Sequence, residues 1–366
     1  MGFKSRLENC PYGPIAVGQV DRFTSRRQFG LQALVGGATL AATSALAQPK
    51  PEKSKVTIAV GGKASFYHLP LTIAEQLGYF RAEGLEVEIQ DFAGGTSALL
   101  AVQSGSADVV SGAYEHTINL QEKNQFFQAF VLQGRAPAIA LGVSNKAMPN
   151  YRTLADLRGR KIGVSEPGSS TNMLVSLLFA RAGLKTADIN IIGVGSAASA
   201  LAAMRSGQID ALSYVDPVMT VLEQKGEVRI ICDTRTLKGT AEAYGGPMPA
   251  GCLYAPIEFV RKNPDTVQAL TDAIVRSLKW LQTAGPGDLL KTVPEANLLG
   301  DRGLYLASFN KVREAIAIDG LIPEEGARTA LRVLMSFEPT LKAEKIALGR
   351  TYTNEFARKA KQKFKV

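Results

Sequence analysis

The apolar positions between Val56 and Gln90 change period twice. A continuous run, Val56-Thr57-Ile58-Ala59-Val60, precedes a turn at Gly61 and Gly62. Leu71, Ala74, Leu77 and Phe80 then recur at helical spacing, and Leu85, Val87 and Ile89 finally alternate with Glu86, Glu88 and Gln90. This order predicts strand, helix, strand. Pro70 suits the first helical turn, where its missing N–H costs nothing, and Gly78 and Gly84 supply stops at the far end. Two parallel strands joined by one helix make a right-handed crossover, which sets the loop from Gly61 to His68 at the carboxyl edge of a sheet. Open α/β sheets bind ligands at that edge.

The next stretch, Asp91-Phe92-Ala93-Gly94-Gly95-Thr96, leads into a predicted helix over 97–103, a stop at Ser104-Gly105 and a strand edge over 108–113. A hundred residues later the pattern returns. Residues 201–213 match residues 99–111 without a gap, Arg181-Ala182-Gly183-Leu184 echoes Arg81-Ala82-Glu83-Gly84-Leu85, and Ile162-Gly163-Val164 stands where Ile58-Ala59-Val60 stood. Two copies of one strand–helix–strand–helix–strand unit imply two lobes of similar build. Residues 126–132 and 138–143 are β-rich runs around Gly134-Arg135-Ala136-Pro137 and suit a chain passing between lobes. The Gly-, Pro- and Thr-rich stretch 233–249 reads as the return connection. One strand follows at 252–255, then predicted helices over 264–283, 304–319, 324–335 and 351–363.

Leu69-Pro70-Leu71, Ala74-Glu75, Gly78-Tyr79-Phe80 and Glu83-Gly84-Leu85 resemble the opening of substrate-binding proteins of nitrate/sulfonate/taurine-type ABC importers, a group that also contains thiamine-pyrimidine binders. The likeness continues through Gly94-Gly95-Thr96, Ser104-Gly105 with Asp108, Leu154-Ala155-Asp156-Leu157-Arg158-Gly159-Arg160-Lys161 and Pro167-Gly168-Ser169, and covers residues 56–217 well. The resemblance implies an α/β, type II periplasmic binding fold. Each lobe is then a mostly parallel sheet flanked by helices, with the ligand cleft between lobes. Its implied organisation is a first lobe built from residues 55–134 and 236–366, with a second lobe, 135–235, inserted between them. It also implies a small-molecule ligand, a membrane permease as partner, a monomer, and no cofactor. The enzymatic alternative resembles thiamine-pyrimidine synthases on the same fold; a cysteine-rich iron-binding run expected of those is not evident in this sequence.

Length and charge modify this picture little. A chain of 366 residues fits two lobes better than one. The formal charge is +9, of which the first 47 residues contribute +3 and the C-terminal tail, with Arg358, Lys359, Lys361, Lys363 and Lys365, much of the rest. A nucleic-acid partner would call for basic residues interleaved with aromatics on one face; a solvated helix end explains the tail more simply. Ser25-Arg26-Arg27-Gln28-Phe29, an apolar run over 30–45 and Ala45-Leu46-Ala47 fit a twin-arginine export signal, cleaved after Ala47, for a periplasmic protein. Cys10 lies in that leader. Cys232 and Cys252 either pair, as an oxidising compartment permits, or remain two buried thiols.

Facing lobes place equivalent loops around one cleft. These are Ser65-Phe66-Tyr67-His68 against Gly168-Ser169-Ser170-Thr171, Gly94-Gly95-Thr96 against Gly195-Ser196-Ala197, and Tyr114-Glu115 against Asp216-Pro217. Several begin helices, whose unpaired N–H groups favour anions or acceptor oxygens, and the Ser and Thr hydroxyls both donate and accept. The same hydroxyls also serve as ordinary helix caps. Phe66, Tyr67, Tyr114 and Tyr214 point to a flat or organic ligand, and Glu115 and Asp216 to one bearing an N–H group. Arg135 either reaches an anionic group or pairs with Asp233 and fixes, with Gly134, the geometry of a hinge. His68 and His116, the only histidines, read as polar loop residues. No spacing of His, Cys or carboxylates suggests a metal.

Overall fold

The computed structural model describes residues 50–366. The proposed leader, with Cys10, lies outside the described residues. In chain order the first sheet takes β1 (Lys55–Gly61), β2 (Glu86–Phe92), β3 (Val109–Ala113) and β4 (Phe127–Leu132), with α1 (Leu69–Gln76), α2 (Tyr79–Ala82), α3 (Gly95–Gln103) and α4 (Glu115–Glu122) between them. The second sheet takes β5 (Ile139–Ser144), β6 (Lys161–Val164), β7 (Asn190–Gly193), β8 (Ala211–Val215) and β9 (Val228–Asp233), with α5 (Ser170–Arg181), α6 (Ala197–Ser206) and α7 (Val218–Gln224). After α8 (Leu237–Tyr244) the chain returns to the first sheet as β10 (Gly251–Pro256). Helices α9 (Ile257–Lys262), α10 (Pro264–Thr283), α11 (Pro286–Thr292), α12 (Arg302–Val312), α13 (Glu324–Met335) and α14 (Glu355–Phe364) complete it.

The strand orders are β2-β1-β3-β10-β4 and β7-β6-β8-β5-β9. They superimpose position by position: β1 and β6 each lie between two parallel neighbours, and β10 and β5 each lie between two antiparallel ones. Each sheet is mixed but mostly parallel, as expected: four of its five strands run one way, and only β10 or β5, the strand by which the chain enters from the other lobe, runs against them. The runs expected only to connect lobes, 126–132 and 138–143, are the full sheet members β4 and β5. The sequence repeat also survives as geometry. Gly105 and Gly207 end α3 and α6 with φ of +78° and +76°, a left-handed conformation that glycine enters without a Cβ penalty.

Burial follows the hydrophobic pattern. Ile58, Ala59 and Val60 are fully buried in β1 and the whole of β3 is buried, whereas β2, at the sheet edge, shows the partial exposure that its alternation predicts. Helices α10 and α13 occupy the predicted spans 264–283 and 324–335. The predicted helix over 304–319 divides into α12 and a short 3-10 turn, Arg313–Ala315. The return connection holds an unforeseen helix, α8, whose N-terminus the Thr236 hydroxyl caps by accepting the Gly239 N–H at 3.0 Å. Cys232 and Cys252 are free thiols, half-buried on β9 and buried on β10.

Candidate functional site

The carboxyl edges of β1 and β3 face those of β6 and β8, and the loops beyond them meet. The Phe66 N–H donates to the Asp216 carbonyl at 3.0 Å, and the Thr96 hydroxyl donates to the Pro167 carbonyl at 3.0 Å. The two lobes are thus in contact around a cavity of ≈ 50 Å³. Its walls come from both lobes: Gly61, Gly62, Ser65, Tyr67, His68, Ala93, Gly95, Gly112, Ala113 and His116 on one side, and Ser165, Ser169, Ser170, Thr171, Tyr214 and Val215 on the other. None of these carries an Asp, Glu, Lys or Arg side chain.

Seven of the residues singled out in the sequence line this cavity: Ser65, Tyr67, Gly95, Ser169, Ser170, Thr171 and Tyr214. The hydroxyls at the start of α5 form a linked set. Ser169 and Thr171 hydroxyls lie 2.7 Å apart, the Ser165 hydroxyl donates to Ser169 at 3.0 Å, and Ser169 caps the helix through the Asn172 N–H at 3.5 Å. The capping and ligand-facing roles weighed for these side chains are therefore compatible in one geometry. The Ser170 and Thr171 N–H groups, in the first turn, have no intrahelical partner by position. Tyr214 donates its hydroxyl to the Gly195 carbonyl at 2.5 Å and presents its ring to the cavity.

The remaining candidates sit elsewhere. Phe66 is buried against Tyr305 and Phe309, with ring centroids 4.6 and 6.0 Å away, so it anchors the loop. Gly94 is the N-cap position of α3, and Thr96 spends its hydroxyl on Pro167. Gly168 turns the chain at φ +81° and donates its N–H to Asn172 Oδ1 at 2.9 Å. Tyr114 is fully buried, with its hydroxyl 2.7 Å from that of Thr351 and its ring edge-on to Tyr352; it belongs to the core. Asp216 is 1 % exposed and faces inward to the Thr220 N–H at 2.7 Å and the Arg235 guanidinium at 3.5 Å. It is not free for a ligand amine. Arg135 donates to the Glu314 carbonyl at 2.7 Å, and Asp233 pairs with Arg235 at 2.5 Å, so the expected Arg135–Asp233 pair is replaced by two other contacts. Gly134 remains at the crossing, its N–H donating to the Gly251 carbonyl at 2.9 Å.

Glu115 begins α4 beneath the cleft, 4 % exposed, with Oε2 lacking a partner among the described residues. Burial pushes its carboxyl up to about 7. An ionised carboxylate there is costly, so Glu115→Gln is expected to raise stability at pH 8 by about 1–3 kcal/mol and to leave it unchanged at pH 4, where the native carboxyl is already protonated. Urea titrations at the two pH values compare the variant with the parent; equal stability at pH 8 would remove the claim.

The two histidines, expected to be polar loop residues, are instead buried in helical turns. Each is 4 % exposed and lines the cavity. His68 Nδ1 lies 3.0 Å from the Ser111 hydroxyl and His116 Nδ1 2.9 Å from the Tyr254 hydroxyl. Burial lowers both to about 4, so both rings are neutral at physiological pH. No periodicity could have shown this, because both lie where a strand gives way to a helix and their inner partners arrive from distant strands.

Two mixed sheets of equal topology, joined by two crossings around a cavity, define a two-lobed periplasmic binding fold. The chain belongs to the NMT1/THI5-like family, whose model matches residues 65–284. A solved protein from Bordetella bronchiseptica RB50 is 57 % identical, with a TM-score of 0.86, over 87 % of this chain and 100 % of that one. The alkanesulfonate-binding protein SsuA from Xanthomonas axonopodis pv. citri, solved with MOPS bound, has a TM-score of 0.63 at 20 % identity, covering 83 % of this chain and 99 % of that one; this likeness is one of fold. A protein of Brucella abortus (strain 2308) named a binding protein is 25 % identical over 240 residues, 63 % of this chain and 68 % of its own length.

Proposed function

We propose that this protein is the periplasmic solute-binding component of an ABC importer, and that its ligand is a compact solute presenting an oxyanion or another strong acceptor to neutral donors. One observation carries the second part. The cavity is walled by helix N-termini, hydroxyls and neutral imidazoles, with no ionised side chain. The two carboxylates first considered for a ligand N–H, Glu115 and Asp216, lie behind that wall. A fixed cation in the cavity would lack a counter-charge, whereas an anion meets the positive ends of helices and uncompensated N–H groups. Size points the same way. A water needs roughly 10–15 Å³, so ≈ 50 Å³ holds a solute, or a head group, of a few heavy atoms in this closed form.

The function of the protein is then to close on the solute and hand it, unchanged, to a membrane permease. Binding favours the shut form only so far as the ligand touches both lobes, and here Ser65 and His68 face Ser169 and Thr171 across one space. Export through the twin-arginine route rests on the Ser25-Arg26-Arg27-Gln28-Phe29 motif and the apolar run behind it.

A thermal-shift and calorimetric screen over methanesulfonate, taurine, nitrate, aminopyrimidines and aromatic carboxylates tests this. A small sulfonate or nitrate at a hundred times its dissociation constant should add about 2.7 kcal/mol. Ser169→Ala combined with Thr171→Ala should weaken that ligand by roughly 10- to 100-fold, as expected for lost hydrogen bonds to a charged group. Stabilisation by aminopyrimidines alone would reject the oxyanion assignment. Turnover of any hit would reject the transport role.

A further inference from the structure

The loop between β6 and α5 sends one carboxylate across the cleft. Glu166 Oε2 accepts the Ser97 N–H at 2.9 Å, and Oε1 accepts the Ser97 hydroxyl at 2.5 Å. Ser97 is the third residue of α3, and its N–H is one of the four that a helix cannot satisfy internally. Where Ser, Thr, Asp or Asn precedes the first turn, as at Ser169 and Thr236, its own side chain supplies that acceptor. Here that position holds Gly94, which has none. A Cβ on Gly94 would lie 2.6 Å from Glu166 Cγ and 2.8 Å from Oε2, closer than such atoms ever approach. The glycine therefore leaves the cap position vacant on one lobe, and the glutamate of the other lobe fills it.

We infer that Glu166 stabilises lobe closure in this protein alongside the Phe66–Asp216 and Thr96–Pro167 contacts: its carboxylate caps α3 in trans, and only when the cleft is shut. Opening the lobes exposes a charged acceptor and an unpaired helix end together, so the cap adds to the free energy of closure without contacting the solute. Apparent affinity scales with the fraction of molecules in the binding-competent form. Glu166 accordingly raises affinity for whatever solute the cavity takes. It also biases orientation. A fixed negative charge now sits at the α3 end. An anionic head group is directed away from that carboxylate and toward Ser169, Ser170 and Thr171 at the start of α5. The orientation depends on the solute-binding reading above; the capping does not.

Amide hydrogen exchange on the ligand-free, full-length protein separates the two. Glu166→Ala is expected to speed exchange at the Ser97 amide by about tenfold or more, the factor equivalent to ~1.4 kcal/mol, while amides of β1 keep their protection and report an intact fold. Glu166→Gln, which retains an acceptor but no charge, should fall between. Gly94→Ala should release the Ser97 amide in the parent protein, by pushing the carboxylate away, yet add nothing on top of Glu166→Ala. Equal Ser97 exchange in the parent and Glu166→Ala overturns the inference, as does an additive effect of Gly94→Ala. Neither result depends on whether a sulfonate or nitrate binds.

Discussion

Replacing Arg235 with Ala is expected to lower the unfolding free energy by about 3–5 kcal/mol, the cost of stranding a buried partner charge. The guanidinium is 2 % exposed and meets three carboxylates: Asp233 at 2.5 Å, Glu223 at 3.0 Å and the fully buried Asp216 at 3.5 Å. Burial raises the Asp216 carboxyl in spite of Arg235, whereas the closer Arg235 contact holds Asp233 below its ordinary value against its own partial burial. Asp216 is the group with most to lose. Lys311, on α12, reaches Glu223 at 2.7 Å but lies farther from the other two acids. Because the Asp216 carbonyl also holds the Phe66 N–H across the lobes, the variant should bind its solute more weakly as well as unfold earlier. Denaturant titration at pH 7 provides the measurement. A loss below about 1 kcal/mol, the scale of an exposed ion pair, would show that the network is dispensable.

The second large effect is on acid stability. With His68 and His116 lowered to about 4 by burial, the unfolded chain binds more protons than the folded one between that value and the ordinary 6.5. Stability must then rise with pH across this window and fall as the solution is acidified through it. Each histidine contributes at most about 3 kcal/mol. Glu115, raised to about 7, acts in the opposite sense, because the folded state is the one that keeps its proton above 4.5. Two histidines outweigh one carboxyl, so the net slope stays positive up to about pH 6.5 and reverses slightly above it. Urea titrations from pH 4 to pH 8 should show this profile, and His116→Gln should reduce the slope. A flat profile would mean that the rings are not held neutral in the fold.

Much of the architecture was legible because periodicity and duplication are local records of burial. The continuous run Val56 to Val60 became the buried strand β1, and the alternation after Leu85 became the half-exposed edge strand β2. The gapless match of residues 99–111 with 201–213 reappears as two strand-and-helix units that end in the same left-handed glycine. What pattern could not supply was strand direction at the crossings. The runs at 126–132 and 138–143 look alike as sequences, yet one is an edge strand and the other lies inside the opposite sheet, since pairing there depends on partners a hundred residues away.

The site divides along the same line. Motif and repeat identified the loop positions Ser65, Tyr67, Gly95, Ser169, Ser170, Thr171 and Tyr214, because loops at the carboxyl edges of equivalent strands must face each other once two similar lobes are joined. Side-chain direction within those loops was beyond reach. Tyr114 and Phe66 turned to the core, Asp216 to Arg235, and His68 and His116 to the cavity, each choice set by whichever distant group was there to satisfy or cover it. By itself the chain determined two α/β halves and the edges at which they meet. Only the assembled structure decided that the shared space is walled without ionised side chains and that Glu115 and Asp216 lie buried behind it. Local propensity acts within a few residues, whereas burial and ion pairing are settled between segments that meet only after folding.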